Sequence, residues 1–364
     1  MFGLWRLSLA LEVVLFHLLG VPLIGAFAVT SFFVLSGFLM TAIMDRTYGY
    51  SWAGRRAFAL NRAVRLLPPY WYACAVTLAL IVLLGPDYMA SVKPHMQLPA
   101  STSEWLQNLS ALFLGDAPIA ARPRLVPPSW ALTVELIFYA AIALGLSRSR
   151  RIALVWLGLS ALYVMFCLTA DGGLRSLYGS VAGGSFPFAL GAVTYRYRHA
   201  LRAVVEGVWQ HAAALYVLRF AVALLAIGLV AAGESDWRLR ELFNHINAVI
   251  SALLVLCLFR QSWGGRVEIL DQRAGALSYP IYLLHWQAAA LAGYVVFGHA
   301  ALGLSREGLV SFLIAMPILL ALCIVVTSGL DPVLRGWRNA TRSRAADRMG
   351  HSMLSRPAVS GLGG

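Results

Sequence analysis

Three ionisable residues, Arg6, Glu12 and His17, fall inside the first long apolar run of the chain. A charged group at the centre of a membrane helix costs about 2.5 to 3.5 kcal/mol on insertion scales, so each calls for a partner or a task. Arg6 and His17 stand eleven residues apart, about 1100° around a helix, or roughly 20° past three turns, with a rise of about 16 Å. They therefore share one face, Arg6 near one membrane surface and His17 well across. An imidazole so placed can take a proton from a hydroxyl or carry an acyl group, and a guanidinium can hold a phosphate. The plain readings stay open beside these: Arg6 snorkelling to lipid phosphates, and His17 bonded to a neighbouring helix. Glu12 lies five residues before His17, about 140° around the helix, so it serves a different contact.

Further groups follow along the chain. In the stretch FALNRAVRLLPPYW (58–71), Arg62 and Arg65 are helical neighbours, able to clamp phosphate bidentately or to anchor a span end. Pro68 and Pro69 are expected in the first turn of a span that begins near Leu66. Glu135 sits within SWALTVELIFY (129–139), which Trp130 helps to open. A buried carboxylate must be paired or protonated, and three roles are open to it: pairing with Arg65, orienting His17, or a structural interhelical bond. LSYPIYLLHW (277–286) supplies Tyr279, Tyr282 and His285, and VLSGF supplies Ser36.

These residues need a scaffold, and composition says which kind. Of 364 residues 60% are hydrophobic and 12% charged, and the mean hydropathy is +0.73; a soluble domain carries about 25% charged residues. A soluble globular enzyme and a secreted product are excluded. The net charge of +13 is spread in short clusters between apolar runs, which reads as membrane topology and not as a nucleic-acid surface. Lys93 is the only lysine among 29 basic residues, read as genome composition. The four cysteines sit inside apolar runs without metal-ligand spacing, so neither a disulfide framework nor a metal site is indicated.

Runs long enough to cross a bilayer occur at about 5–20, 23–44, 66–85, 129–146, 152–170, 181–195, 213–233, 245–259, 277–297 and 309–329, the sixth and eighth being short. Twenty of the basic residues fall on one set of alternate loops and seven on the other, which places both termini in the cytoplasm. The expected fold is an all-α integral membrane protein, a bundle of about ten transmembrane helices in the inner (cytoplasmic) membrane. Residues 4–330 form a single membrane domain, and 331–364 a basic, partly disordered cytoplasmic tail. Pro86 to Pro128 is the one long loop, on the external side, broken by prolines and carrying Tyr88, His95, Trp105 and Asn108. These either contact a substrate or pack the loop on the bundle.

The order RLSLALEVVLFH, TSFFVLSGFLM, FALNRAVRLLPPYW, SWALTVELIFYA, LSYPIYLLHW resembles the acyltransferase 3 family of integral membrane O-acyltransferases over about residues 4 to 330. The resemblance implies a ten-helix enzyme that takes an acyl group, usually acetyl, from acyl-coenzyme A on the cytosolic side and places it on a carbohydrate hydroxyl. The family's Arg-x10-His pattern falls on Arg6 and His17, its Arg-x-x-Arg pattern on Arg62 and Arg65, and the glutamate of its fourth-span motif on Glu135. This chain departs from the pattern at Leu136 and Ile137, where many members have a second acid and then glutamine, and at Glu12, where an apolar residue is expected. The extracytoplasmic SGNH-type domain of some members is expected to be absent.

The chemistry implied is thioester-to-hydroxyl transfer, with His17 as general base, its tautomer fixed by Glu135 or a backbone group; an acyl-histidine intermediate is the variant. Arg6, Arg62 and Arg65 would bind the phosphates of the donor, acyl-CoA (acetyl-CoA), and Ser36 would bond its pantetheine or its own helix. Tyr282, His285 and Trp130 are candidates for supporting the site or contacting the acceptor. The partners expected are acyl-CoA, a glycan or glycolipid acceptor and the lipid bilayer, with no nucleic acid, no bound cofactor and no metal. The competing readings are a transporter or flippase, which would hold similar charges near the midplane, and a non-catalytic partner of polymer export.

Overall fold

The computed structural model describes residues 2–115, 117–169, 177–201, 208–234, 236–259 and 264–337. Among them there are helices and connecting turns and no strand. This follows from the composition, since in hydrocarbon only a helix satisfies its backbone polar groups within one segment. The helices are α1 (Gly3–Leu19), α2 (Ile24–Ile43), α3 (Trp52–Leu84), α4 (Pro86–Val92), α5 (Thr102–Ser110), α6 (Trp130–Leu144), α7 (Arg150–Thr169), α8 (Val181–Arg196), α9 (Val208–Ala231), α10 (Trp237–Phe259), α11 (Gly265–Phe297) and α12 (Arg306–Ile324). Eight are long and apolar enough to cross a membrane. Two further expected spans, α1 and α8, have 17 and 16 residues, about 25 Å each.

Close backbone approach sets the inner packing. A Cβ on Gly3 would collide with the Asp271 carbonyl, and one on Gly37 with the Phe188 carbonyl, while Gly191 meets the Val34 carbonyl in the same way. Small residues bring membrane helices together at such points, where van der Waals contact replaces the hydrophobic drive of water. Two tight pairs result, α1 with α11 and α2 with α8. In the first, Gly3 lies against Asp271 and, fourteen residues further along both helices, His17 stacks on His285. The two helices therefore run parallel, their facing positions about four turns apart. α9, α7 and α12 are the least buried spans, with outward rows such as Leu159, Leu162 and Phe166 on α7 and Val217 and Leu224 on α9.

Two expectations about elements are corrected. The third span starts fourteen residues earlier than its apolar run, at Trp52 behind the Ser51 N-cap, whose hydroxyl accepts from the Gly54 amide. Pro68 and Pro69 thus stand inside α3 and not in its first turn, leaving the Val64 and Arg65 carbonyls without their usual helical donors. The 86–128 segment is not an open loop but a folded cap. It holds α4 and α5, the latter closed by a Ser101–Glu104 capping box, and is tied down by Asn108 and Arg124. Arg124, within this segment, is 2% exposed and donates to the carbonyls of Pro118, Ile119, Ala121 and Pro127. Asn108 bridges Glu104, Pro123 and Leu125. Tyr88 donates to the Ala290 carbonyl at 2.6 Å, joining the cap to α11. The tail expected from 331 onward is helical over 331–337; the remainder, with the disorder predicted for it, lies outside the described residues.

Candidate active site

α1 carries the site's axis. Arg6, one turn above the Gly3 contact, lines a cavity of about 570 Å³ with Arg62 and Arg65 of α3, Ser36 of α2, Glu135 and Tyr139 of α6 and Tyr279 and Tyr282 of α11. Ligand cavities commonly span about 300–1,000 Å³. Five helices thus bring together the two arginine motifs and the buried glutamate. The lining also takes Asp271, whose Oδ1 accepts from the Leu4 amide, and Arg335, which is paired with Asp331 at 3.2 Å.

The carboxylate of Glu135 is not where an orienter of His17 would be. Its Oε1 accepts from the Ser36 hydroxyl at 2.8 Å, and that hydroxyl lies 3.3 Å from Tyr139 Oη. Its charged neighbours are Arg6 and Arg65. Of the three roles left open, the interhelical bond is the one the geometry shows, made from Ser36 of α2, with Arg6 and Arg65 as charged neighbours at longer range. Ser36 spends its hydroxyl on Glu135 and not on its own helix. Arg62 donates to Asn61 Oδ1 at 2.8 Å and lies over the Phe58 ring. The freed carbonyls in α3 lie beside this pair, and the Leu66 carbonyl accepts from Tyr279 Oη at 2.9 Å. The prolines and the arginine pair therefore share one stretch of wall.

His17 turns into the bundle, toward α11. Its ring stacks on His285 with centroids 5.2 Å apart and planes 9° from parallel, and it touches Phe16 and Trp286. His285 is fully buried, and its Nδ1 lies 2.9 Å from the Tyr282 carbonyl. A carbonyl only accepts, so Nδ1 carries the hydrogen and Nε2 the lone pair. That Nε2 is buried without a hydrogen-bond partner. The imidazole fixed by a backbone carbonyl is therefore His285, a group the sequence ranked as supporting.

His17, His285 and Trp130 do not line the cavity; its wall toward them is Tyr282 and Phe32, packed edge to face at 6.3 Å. Tyr282 precedes His285 by three residues, about 4.5 Å along the axis, and its hydroxyl donates to the Pro128 carbonyl at 2.8 Å. Trp130 packs between Phe33 and Tyr178. Beyond the histidines lies the cap, where Lys93 Nζ sits 4.9 Å over the Trp286 ring. Burial and the neighbouring Arg124 and Arg122 lower the Lys93 pKa. The same causes, burial first, push His95 down to about 4.

Glu12, without a role in the sequence reading, forms a two-bond ion pair with Arg219 of α9, at 2.8 and 2.7 Å, both residues buried. Arg219 therefore lies inside the bundle. Ser31, Ser251 and Asn247 extend this polar cluster between α2 and α10.

The family model of the acyltransferase domain matches residues 2–328. A stretch of 130 residues, 35% of this chain, is 33% identical to the "Exopolysaccharide production protein ExoZ" of Rhizobium meliloti (strain 1021), and it spans about a third (36%) of that protein's length. No solved structure matches the chain.

Proposed function

The chain belongs to the acyltransferase 3 family, and from that premise we propose that it is a multi-pass membrane O-acyltransferase moving an acyl group, acetyl in the simplest case, from acyl-CoA to a carbohydrate hydroxyl. The relative involved in exopolysaccharide production favours a cell-surface polysaccharide or its lipid-linked precursor as acceptor. The observation that carries the reading is a cavity with three arginines at one end of α1 and an inward-facing, stacked imidazole at the other. A transporter has no need of an imidazole pair behind a phosphate-sized basic pocket. In this proposal ten helices cross the inner membrane, both termini are cytoplasmic, and the arginine end faces the cytosol, where acyl-CoA is found.

Arg6, Arg62 and Arg65 bind the diphosphate and 3'-phosphate of the donor, and the pantetheine runs along α1 toward Tyr282. Glu135, held by Ser36, keeps the guanidiniums apart and aimed. Displacement of the Tyr282–Phe32 wall brings the thioester to the histidines. His17 takes the proton of the acceptor hydroxyl as its oxygen attacks the thioester carbon. The C–S bond breaks, and the departing CoA thiolate takes that proton back from the imidazolium, leaving the ester and CoA-SH.

The test is direct. Membranes holding the protein, given labelled acetyl-CoA and a polysaccharide fraction from the producing cell, are expected to label the polysaccharide. His17→Ala is expected to remove the transfer, by at least about a hundredfold for loss of a general base, with the protein still inserted. Unchanged labelling in the His17→Ala membranes would remove His17 from the mechanism.

A further inference from the structure

The chain uses arginine at every basic position but one, and the one lysine, Lys93, is in the cap beside the histidine pair. Its ammonium lies 4.9 Å over Trp286, a ring that touches both His17 and His285. It is near enough to both imidazoles to act on them electrostatically. Among the described residues no carboxylate pairs with it, and its charged neighbours are Arg122, exposed, and Arg124, whose guanidinium is committed to backbone carbonyls. His95, beside them, is pushed down to about 4 and adds no charge at neutral pH. Glu104 of α5 is spent on its own capping box, and Asp87 of α4 makes no ion pair with Lys93. Among its described residues the cap therefore presents positive charge, uncompensated and partly desolvated, to whatever approaches the histidines from its side. An unpaired cation in such a place is costly unless an anion completes it.

We propose that Lys93 is a positioning residue for the acceptor, and that the acceptor carries an anionic group, a sugar carboxylate or a phosphate, which the ammonium holds so that a neighbouring hydroxyl meets the histidine pair. The proposal rests on the acyltransferase reading for its catalytic half and not for its binding half. The anion meets the ammonium on the side away from the Trp286 indole, whose electron-rich face holds the cation, and the sugar ring extends toward His17. No bond is made or broken at Lys93. Donor phosphates are bound at the other end of α1 and do not compete for it. A lysine suits this task because its single compact charge can follow a flexible glycan, where a planar guanidinium would demand one orientation.

Binding is measured by tryptophan fluorescence of the full chain in lipid nanodiscs, with tetragalacturonate and polyprenyl diphosphate as anionic probes and maltotetraose as the neutral one. The wild type is expected to bind at least one anionic probe and to discriminate against maltotetraose. Response to tetragalacturonate alone identifies a sugar carboxylate, and response to the diphosphate alone identifies a lipid-linked precursor. Lys93→Met is expected to weaken the anionic probe by roughly tenfold or more, the value of a charged hydrogen bond, and Lys93→Arg to recover part of it. In turnover with acetyl-CoA and the bound probe, Lys93→Met is expected to raise the acceptor KM with little change in the acetyl-CoA KM. No anionic binding in the wild type, or equal binding by wild type and Lys93→Met, overturns the proposal. Anion binding that depends on Lys93, without acyl transfer to the polysaccharide fraction of the producing cell, leaves Lys93 as an anion site and overturns the proposed polysaccharide acylation instead.

Discussion

Arg62 and Arg65 line the same cavity as Arg6, and their expected task is separable from that of His17. Arg62→Ala with Arg65→Ala is expected to raise the KM for acetyl-CoA by roughly tenfold to a hundredfold, as loss of charged hydrogen bonds does, while the acceptor KM stays within about twofold. Steady-state kinetics with each substrate varied in turn checks this, and an unchanged donor constant would leave the arginines as span anchors. What the sequence made legible at this scale is what the helical period alone dictates: Arg6 and His17 on one face, Arg62 beside Arg65. The partner of Glu135 was hidden because Ser36 is 99 residues away and hydroxyls are common in membrane helices. His285 was read as a supporting or acceptor-side residue and not as a neighbour of His17 for a related reason. Its stacking on His17 depends on α1 and α11 running parallel, which periodicity within either segment does not encode.

The Glu12–Arg219 pair governs how α9 is held. Both partners are almost fully buried, and α9 otherwise offers the bundle few buried side chains. Glu12→Ala leaves a guanidinium uncompensated and is expected to cost about 3 to 5 kcal/mol, whereas Glu12→Leu with Arg219→Leu recovers most of it. Thermal unfolding in detergent, read as the loss of monodisperse protein, reports both. The sequence displays Glu12 as an oddity but not its partner, 207 residues distant. The extent of α3 was misjudged for a different reason. Hydropathy registers exposure to lipid, while the backbone bonds that extend α3 back to Trp52 run through a stretch rich in arginine.

The cap is an element with its own pH response. His95 titrates near 6.5 when unfolded and near 4 when folded. Between those values the opened cap binds a proton that the closed cap does not, so closure is fully favoured above about 6.5 and weakens as pH falls toward 4. Protease protection of the 86–128 segment is expected to decline over that window, and His95→Gln to flatten the decline; equal pH profiles would assign the response elsewhere.

For the molecule as a whole the proposed orientation makes the cap external and the 145–150 turn cytosolic. The native cysteines are buried, so single cysteines introduced at exposed positions report sidedness. In intact cells Gln97→Cys is expected to react with a membrane-impermeant maleimide, and Arg148→Cys only after permeabilisation. The reverse pattern would invert the protein and place the arginine cavity outside, away from acyl-CoA. Fold class was the most legible feature of all, since apolar runs separated by basic clusters leave the chain few alternatives. Folding of the cap was the least, because Arg124 and Asn108 act through backbone carbonyls, which leave no signature in the order of residues.

That the cap holds the sole lysine has a practical corollary. An amine-directed ester offered to the folded chain finds one side chain to modify besides the N-terminal amine, and that side chain borders the imidazoles. A bifunctional cross-linker anchored there would trap the neighbouring guest without engineered handles, and its mass would identify it.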